Sequence, residues 1–223
     1  MSHTVTIQEI HYINHDVVHI RTDKPNKYNF KPGQATEVAL DKDDWREEKR
    51  PFTFTSLPDD NFLEFTIKVY PEHDGVTQQI GTLNNGDHLL IEDAWGAIEY
   101  QGSGVFIAGG AGITPFISIF KHLENYGSAS DNTLLFANKR KRDIIFPGKF
   151  ESLLGDRFIN ILSEEEHPQY AHGHMDKAFI DKHISDWNRR FYVCGPPPMM
   201  DAVLADLQTL GVHSDLIIIE DLD

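Results

Sequence analysis

The length, composition and charge of this chain limit the classes of protein to which it can belong. With 223 residues, 40% of them hydrophobic, it is long enough to form one large or two small globular domains. Its formal net charge of −15 argues against nucleic acid or an anionic membrane surface as a partner. Cys194 is the single cysteine, which excludes an internal disulfide and a cysteine-ligated iron–sulfur cluster.

The first part of the chain predicts an all-β domain, an antiparallel barrel, over residues 1–102. Short apolar or alternating segments are separated there by turns rich in glycine, proline and asparagine. The predicted strands are residues 5–13, 17–21, 35–40, 62–70 and 88–92.

The pattern changes to alternating strands and helices over residues 103–223, which predicts an α/β domain with a parallel sheet. The predicted strands are residues 105–108, 133–137, 158–162, 190–194 and 216–219. The predicted helices are residues 115–125, 148–154, 176–183 and 198–210.

A glycine-rich turn joins the first strand of this second half to its first helix. It contains Gly110, Ala111 and Gly112, and Thr114 and Pro115 follow at the predicted start of the helix. Glycines let a ligand approach the backbone closely, and free N–H groups at a helix start attract an anion such as a pyrophosphate. Thr114 is suited to cap the helix. A tight turn that binds no ligand has the same sequence pattern.

Residues 50–53 combine a cation, an aromatic ring and a hydroxyl in a way that suits a flavin. Arg50 can bind a phosphate through two hydrogen bonds, and Phe52 can cover a flat heterocycle. The hydroxyl of Thr53 can hydrogen-bond flavin N5. The alternative interpretation is a surface arginine at the start of a core strand.

Two further segments carry polar groups at places where ligands bind. Lys68 and Tyr70 lie on the same side of a predicted strand, and Thr77 opens a predicted helix over residues 77–83. A barrel-rim aromatic and an ordinary helix cap are the alternatives for Tyr70 and Thr77. In the second half, Cys194 follows an apolar strand and precedes glycine and three prolines, which favours a rigid shelf for a flat ring. The alternative is a buried structural cysteine.

Taken in chain order, these five motifs resemble those of the ferredoxin–NADP reductase superfamily, which includes flavodoxin reductases and NADH–cytochrome reductases. The resemblance extends over essentially the whole chain and implies an FAD-binding barrel followed by an NAD(P)-binding α/β domain. Phe52 stands where the family has tyrosine, so one hydroxyl contact to the flavin is expected to be missing. The implied FAD contacts are Arg50, Pro51, Phe52, Thr53, Ile67, Lys68, Tyr70, Gly75, Val76 and Thr77. The implied NAD(P) contacts are Gly110, Ala111, Gly112, Thr114, Cys194, Gly195, Pro196 and Met199.

The same resemblance implies a flavoenzyme that passes a hydride from NADH or NADPH to FAD and then single electrons to a separate carrier. Thr53 would orient flavin N5, Thr114 and Cys194 would position the nicotinamide, and Glu220 would support it from the C-terminus. The expected acceptors are flavodoxin, ferredoxin, a cytochrome or an oxygenase component. The alternatives are a free-flavin reductase and a non-catalytic electron-relay subunit.

Two charged segments give opposite indications on the choice of pyridine nucleotide. Residues 164–166 are three glutamates that would repel the 2′-phosphate of NADPH, whereas residues 139–142 are four cations that would attract it. We favour NADH on balance.

Two features bear on where the protein works and whether it binds a metal. No apolar run is long enough to cross a bilayer, and residues 1–6 show no basic-to-apolar signal pattern, so we expect a cytoplasmic protein. The 12 histidines are scattered along the chain, so we expect no metal site even where His172 and His174 lie close together.

Overall fold

The first half of the chain forms an antiparallel sheet that nearly closes into a barrel. We describe it from a computed structural model, which describes residues 2–96 and 98–219. The strands follow in the order β4-β3-β6-β1-β2-β5, and a bridge between Phe54 and Phe65 brings the two edges together. This confirms the predicted barrel. The strands are β1 (His3–Tyr12), β2 (Val17–Asp23), β3 (Ala35–Leu40), β4 (Arg50–Thr53), β5 (Phe62–Lys68) and β6 (His88–Ile91), and a short helix, α1 (Val76–Ile80), lies between the last two.

The second half forms a parallel sheet, as the alternation of strands and helices predicts. Its strands follow in the order β10-β9-β8-β7-β11-β12, with parallel register throughout. The strands are β7 (Gly104–Gly109), β8 (Thr133–Asn138), β9 (Phe158–Leu162), β10 (Ala171–His172), β11 (Arg190–Cys194) and β12 (Ile217–Ile219). The helices are α2 (Thr114–Asn125), α3 (Pro147–Leu154), α4 (Lys177–His183) and α5 (Pro197–Thr209). The sequence pattern did not predict β10, because two residues are too few to show an alternation.

Both faces of the parallel sheet are covered by helices. Successive side chains of a strand point to opposite faces, so each apolar strand contributes to two separate cores. One core joins β7 to α2 and α3, and its large side chains include Phe106, Phe116, Phe120 and Phe150. The other joins β7 and β11 to α4 and α5, and includes Ile107, Phe179, Val193 and Leu207.

The barrel packs directly on α2 of the second half. The backbone N–H of Gly33 donates a hydrogen bond to Ser118 Oγ at 2.9 Å, and a Cβ atom on Gly33 would overlap the carbonyl oxygen of Ile98. On β5, Leu63, Phe65 and Ile67 fill the barrel core, yet Glu64 on the opposite face is also only 8% exposed. Its carboxylate accepts a hydrogen bond from Lys121 of α2. The polar face of β5 is therefore buried against the second half.

The predicted boundary at residues 102–103 lies between the end of β6 and the start of β7. Among the described residues, no helix combines the length and the apolar character that a membrane span requires.

Candidate functional site

The carboxyl ends of β7 and β11 meet near the centre of the parallel sheet. β8 and β11 lie on opposite sides of β7, so the direction in which the chain adds strands reverses there. Ligands of open parallel sheets bind at such a reversal, outside the carboxyl ends of the strands. The two turns that follow these strands contain the residues predicted to contact the pyridine nucleotide.

These two turns touch each other through their backbones. A Cβ atom on Gly112 would overlap the carbonyl group of Cys194, and one on Gly109 would overlap the sulfur of Met199. Gly195 in turn lies against the backbone of Gly109. Only glycine allows this approach, so the glycines of the first turn fix its position against the second. The structure thereby brings together predicted residues that are far apart in the chain.

The glycine turn runs into α2 through a 3-10 helix, Gly110–Ile113. Gly110 has a φ of +52°, a left-handed conformation that favours glycine. The predicted capping role of Thr114 is wrong, because no side-chain hydrogen bond caps α2. Ile113, the residue before the helix, is already helical, and the N–H of Thr114 donates to the carbonyl of Ala111.

A cleft of about 760 Å³ lies between this edge of the sheet and the barrel. Residues of both halves line this cleft. The sequence motifs had predicted ligand contacts in each half separately. Of the predicted site residues, the cleft is lined by Lys68, Tyr70, Gly110, Ala111, Pro196 and Met199. The other predicted site residues that the structure describes do not line the cleft: Arg50, Pro51, Phe52, Thr53, Ile67, Gly75, Val76, Thr77, Gly112, Thr114, Cys194 and Gly195. Glu220 lies outside the described residues.

The end of β5 presents a cation and an aromatic ring at the barrel side of the cleft. Lys68 Nζ lies 2.9 Å from the Asp16 carboxylate, so the cation is held by the loop between β1 and β2. Tyr70 is 41% exposed and its ring stacks on His73, with 5.5 Å between the ring centroids. Ile67 is buried in the barrel core and pairs with Val18 of β2.

The arginine of residues 50–53 is exposed at the start of β4. Its guanidinium donates to the carbonyl of Lys49 at 2.6 Å and lies 3.6 Å from the carboxylate of Glu48. Phe52 is half-buried against the barrel core, and Thr53 is buried. Among the described residues, the hydrogen bond and ion pair of the Arg50 guanidinium are therefore made with its chain neighbours, Lys49 and Glu48.

The start of α1 offers open space beside the backbone. Gly75 precedes the helix in an extended conformation, and a Cβ atom there would have no neighbour within 4 Å among the described residues. The helix is shorter than predicted, because it ends at Ile80 before Gly81. The side chain of Val76 is buried, whereas Thr77 is half-buried.

The two charged segments that gave opposite indications on the nucleotide lie side by side. Glu164, which follows β9, is 3.2 Å from the ammonium of Lys139 and 3.4 Å from the guanidinium of Arg140, both of which follow β8. The hydrogen bond from Lys139 and the nearby cations lower the pKa of Glu164. Lys139, Arg140 and Glu164 all line the cleft. The cations are therefore already paired with a carboxylate.

Several residues of the cleft were absent from the sequence predictions. His15 lies 3.4 Å from the carboxylate of Asp143. This contact joins the barrel loop between β1 and β2 to the segment after β8. Asn138, the last residue of β8, is almost completely buried. The sequence could have indicated Asn138, because it is a polar residue at the end of an apolar strand, where ligands of parallel sheets bind. The missed residues that line the cleft include His15, Asp16, Asn138, Asp143 and Met175.

Comparison with known proteins finds two family models that match separate parts of the chain. A model described as "FAD-binding domain" matches residues 2–88, and one described as "Oxidoreductase NAD-binding domain" matches residues 106–205. Together the two models match most of the chain.

The chain belongs to the ferredoxin–NADP reductase superfamily.

Solved structures of other proteins show the same fold. A ferredoxin NADP+ reductase from Neisseria gonorrhoeae, with bound FAD and NADP, superposes with a TM-score of 0.84 at 17% identity, over 98% of this chain and 97% of that one. The flavohem-like FAD/NAD binding domain of the Vibrio cholerae nitric oxide dioxygenase gives 0.85 at 20% identity, over 97% and 96% of the two chains.

Among curated relatives, NADH-cytochrome b5 reductase 2 of Mycosarcoma maydis is 28% identical over 95% of this chain and 66% of that protein. The reductase component of propane 2-monooxygenase from Mycolicibacterium goodii is 27% identical over 90% and 62%. The chain thus spans slightly less than two thirds of the length of these relatives.

Proposed function

We propose that this chain is an FAD-dependent NAD(P)H reductase that passes electrons to a separate carrier. The observation that supports this most strongly is the cleft, in which the turns after β7 and β11 face Lys68 and Tyr70 of the barrel. FAD supplies the redox chemistry when bound, because it accepts two electrons with a hydride and releases them singly. The protein holds the two flat rings in register and excludes water from between them.

The barrel residues fit FAD in their chemistry and in the space beside them. Arg50 and Lys68 supply cations for the diphosphate, and the exposed ring of Tyr70 offers a flat surface for stacking. The open space at Gly75 leaves room for a ligand at the start of α1. We assign the orientation of flavin N5 to the hydroxyl of Thr53. The remaining proposed contacts are Pro51, Phe52, Ile67, Val76 and Thr77.

The two touching turns fit a pyridine nucleotide. The left-handed backbone of Gly110 has no atom within 4 Å of a Cβ position among the described residues, so that side of the turn is open to a ligand. Thr114 and Cys194 are proposed to position the nicotinamide, and Glu220 to support it. The other proposed contacts are Ala111, Gly112, Gly195, Pro196 and Met199.

We further propose that NADH is the preferred nucleotide. Glu164 lines the cleft and pairs with both nearby cations, Lys139 and Arg140. A 2′-phosphate at this place would lie beside a carboxylate, which offsets part of the attraction from Lys139 and Arg140.

The electron acceptor is proposed from the relatives, whose names include a cytochrome b5 reductase and reductase components of a monooxygenase. A cytochrome or an oxygenase component fits these names, and ferredoxin or flavodoxin remains the alternative. Because the chain has a net charge of −15, its docking is expected to depend strongly on ionic strength.

The visible spectrum of the purified protein tests this proposal. We expect bound oxidised flavin after gel filtration, and rapid bleaching under anaerobic conditions with NADH. Protein that takes up no FAD when incubated with it, or flavin that stays oxidised beside excess NADH and NADPH, would contradict a reductase. Flavin that is reduced but lost on the column would identify the alternative, a free-flavin reductase.

A further inference from the structure

Asn138 has an unusual environment at the edge of the cleft. It ends β8, is only 7% exposed and lines the cleft. Neither Oδ1 nor Nδ2 of its side chain has a hydrogen-bond partner among the described residues. Buried side-chain amides nearly always have partners, and leaving both atoms unpaired destabilises the fold. This cost requires a compensating role for the amide.

The backbone of Asn138 is firmly held although its side chain is not paired. The N–H of Ser163 donates to the carbonyl of Asn138 at 3.0 Å, and the strand is paired in parallel with β9 up to this residue. The residue thus lines the cleft from a rigid strand end. A ligand that enters the cleft is the available partner for it.

The chemistry of the amide limits the group that it binds. Its Nδ2 donates and its Oδ1 accepts, so full satisfaction needs a group that both accepts and donates. A phosphate only accepts, whereas the hydroxyls of a ribose do both.

The position of Asn138 selects between the two riboses of a dinucleotide. β8 lies on the side of β7 away from β11, and so away from the turn of Cys194 proposed to hold the nicotinamide. Asn138 is adjacent to Lys139 and near Ser163 and Glu164, which also line the cleft. Lys139 and Glu164 are among the charged residues proposed to discriminate at the 2′ position of the adenosine ribose.

We propose that the side chain of Asn138 binds the hydroxyls of the adenosine ribose of the pyridine nucleotide. This rests on the proposed function, since it requires that the cleft holds NADH or NADPH. Asn138 then favours any adenosine nucleotide that retains these hydroxyls, independently of the nicotinamide.

Calorimetric titration of the FAD-saturated protein with ADP, 2′-deoxy-ADP, 3′-deoxy-ADP and nicotinamide mononucleotide tests this. Asn138→Leu is expected to bind ADP about tenfold more weakly, because one buried pair of hydrogen bonds is lost. At least one deoxy analogue should bind the wild-type protein more weakly than ADP, and this difference should disappear in Asn138→Leu. Affinity for nicotinamide mononucleotide should not change.

Thermal unfolding without nucleotide separates a binding role from a structural one. Replacing an unpaired buried amide by an apolar side chain of similar size is expected to leave the melting temperature unchanged or raise it. Asn160→Leu is the matched control, since Asn160 is 5% exposed on β9, has an Oδ1 unpaired among the described residues and lies outside the cleft lining. It should leave ADP affinity unchanged. If Asn138→Leu does not fold, Asn138→Ala removes the same amide.

Several results would overturn the assignment. An Asn138→Leu protein that binds ADP as the wild type does, or one that loses affinity for nicotinamide mononucleotide instead, would show that the amide does not bind the adenosine ribose. A lower melting temperature with unchanged ADP affinity would identify a structural amide. A wild-type protein that binds neither ADP nor NADH would overturn the proposed function itself.

Discussion

Glu164 is the residue at which two opposing charge patterns of the sequence meet. Each pattern by itself gave a different indication of nucleotide preference, and only the fold shows that the carboxylate pairs with Lys139 and Arg140. The relevant quantity is therefore the local sum of charges at the cleft. Distances between residues that follow neighbouring strands cannot be obtained from sequence spacing.

Glu164→Gln is expected to shift the nucleotide preference toward NADPH. Removal of the carboxylate leaves Lys139 and Arg140 free to attract a 2′-phosphate, so the ratio of kcat/KM for NADPH to that for NADH should rise about tenfold. Steady-state kinetics with both nucleotides measure the ratio. Glu166→Gln is the control, because Glu166 is exposed and lies outside the cleft lining, and it should leave the ratio unchanged. If Glu164→Gln and Glu166→Gln give the same ratio of kcat/KM values, Glu164 has no role in nucleotide selection.

The turns after β7 and β11 act as one structural element although they are separated in the chain. The sequence predicted each turn, the strand before it and the helix after it, because glycine, proline and apolar periodicity are local signals. It predicted the wrong start for α2, since the 3-10 helix at Gly110–Ile113 replaces a side-chain cap. It gave no sign that Gly112 touches Cys194.

Gly112→Ala is expected to displace the two turns and weaken nucleotide binding. A Cβ atom at position 112 would overlap the carbonyl group of Cys194, which is backbone and cannot move aside as a flexible side chain can. We expect at least about a tenfold loss in the rate of flavin reduction by NADH, measured by stopped flow. Gly148→Ala in α3 is the control, since its Cβ would meet no atom within 4 Å among the described residues. If both variants reduce flavin at the wild-type rate, the contact has no role in placing the nicotinamide.

At the scale of the whole molecule, the interface between barrel and α/β half contains a buried charge network. Glu64 of β5 accepts a hydrogen bond from Lys121 of α2, and its carboxylate lies 3.2 Å from His19. Burial raises the pKa of Glu64, but hydrogen bonds and attraction from His19 and Lys121 outweigh it and hold the pKa at about 2. The ionised carboxylate therefore stabilises the contact between the two halves.

Stability of the molecule should consequently fall in acid through this group. The pKa of Glu64 is lower in the folded protein than its usual 4.5, so its stabilisation is complete above that value and is lost as the pH falls toward about 2. The loss amounts to about 3 kcal/mol. Urea unfolding between pH 6 and pH 2 should show a steeper decline for the wild type than for Glu64→Gln. Glu72→Gln, at an exposed position, should follow the wild type. Parallel curves for wild type and Glu64→Gln would contradict this account.

The sequence by itself determined the strands and helices other than β4 and β10, the change from antiparallel to parallel architecture and the family. These features follow from periodicity and turn residues, which act over a few positions of the chain. Only the tertiary structure decided that the polar face of β5 is buried and that the turns after β7 and β11 touch. It also decided that the side chain of Asn138 lacks a hydrogen-bond partner among the described residues. Each of these depends on which distant segments pack together, since burial and pairing are properties of the neighbours that a residue acquires on folding.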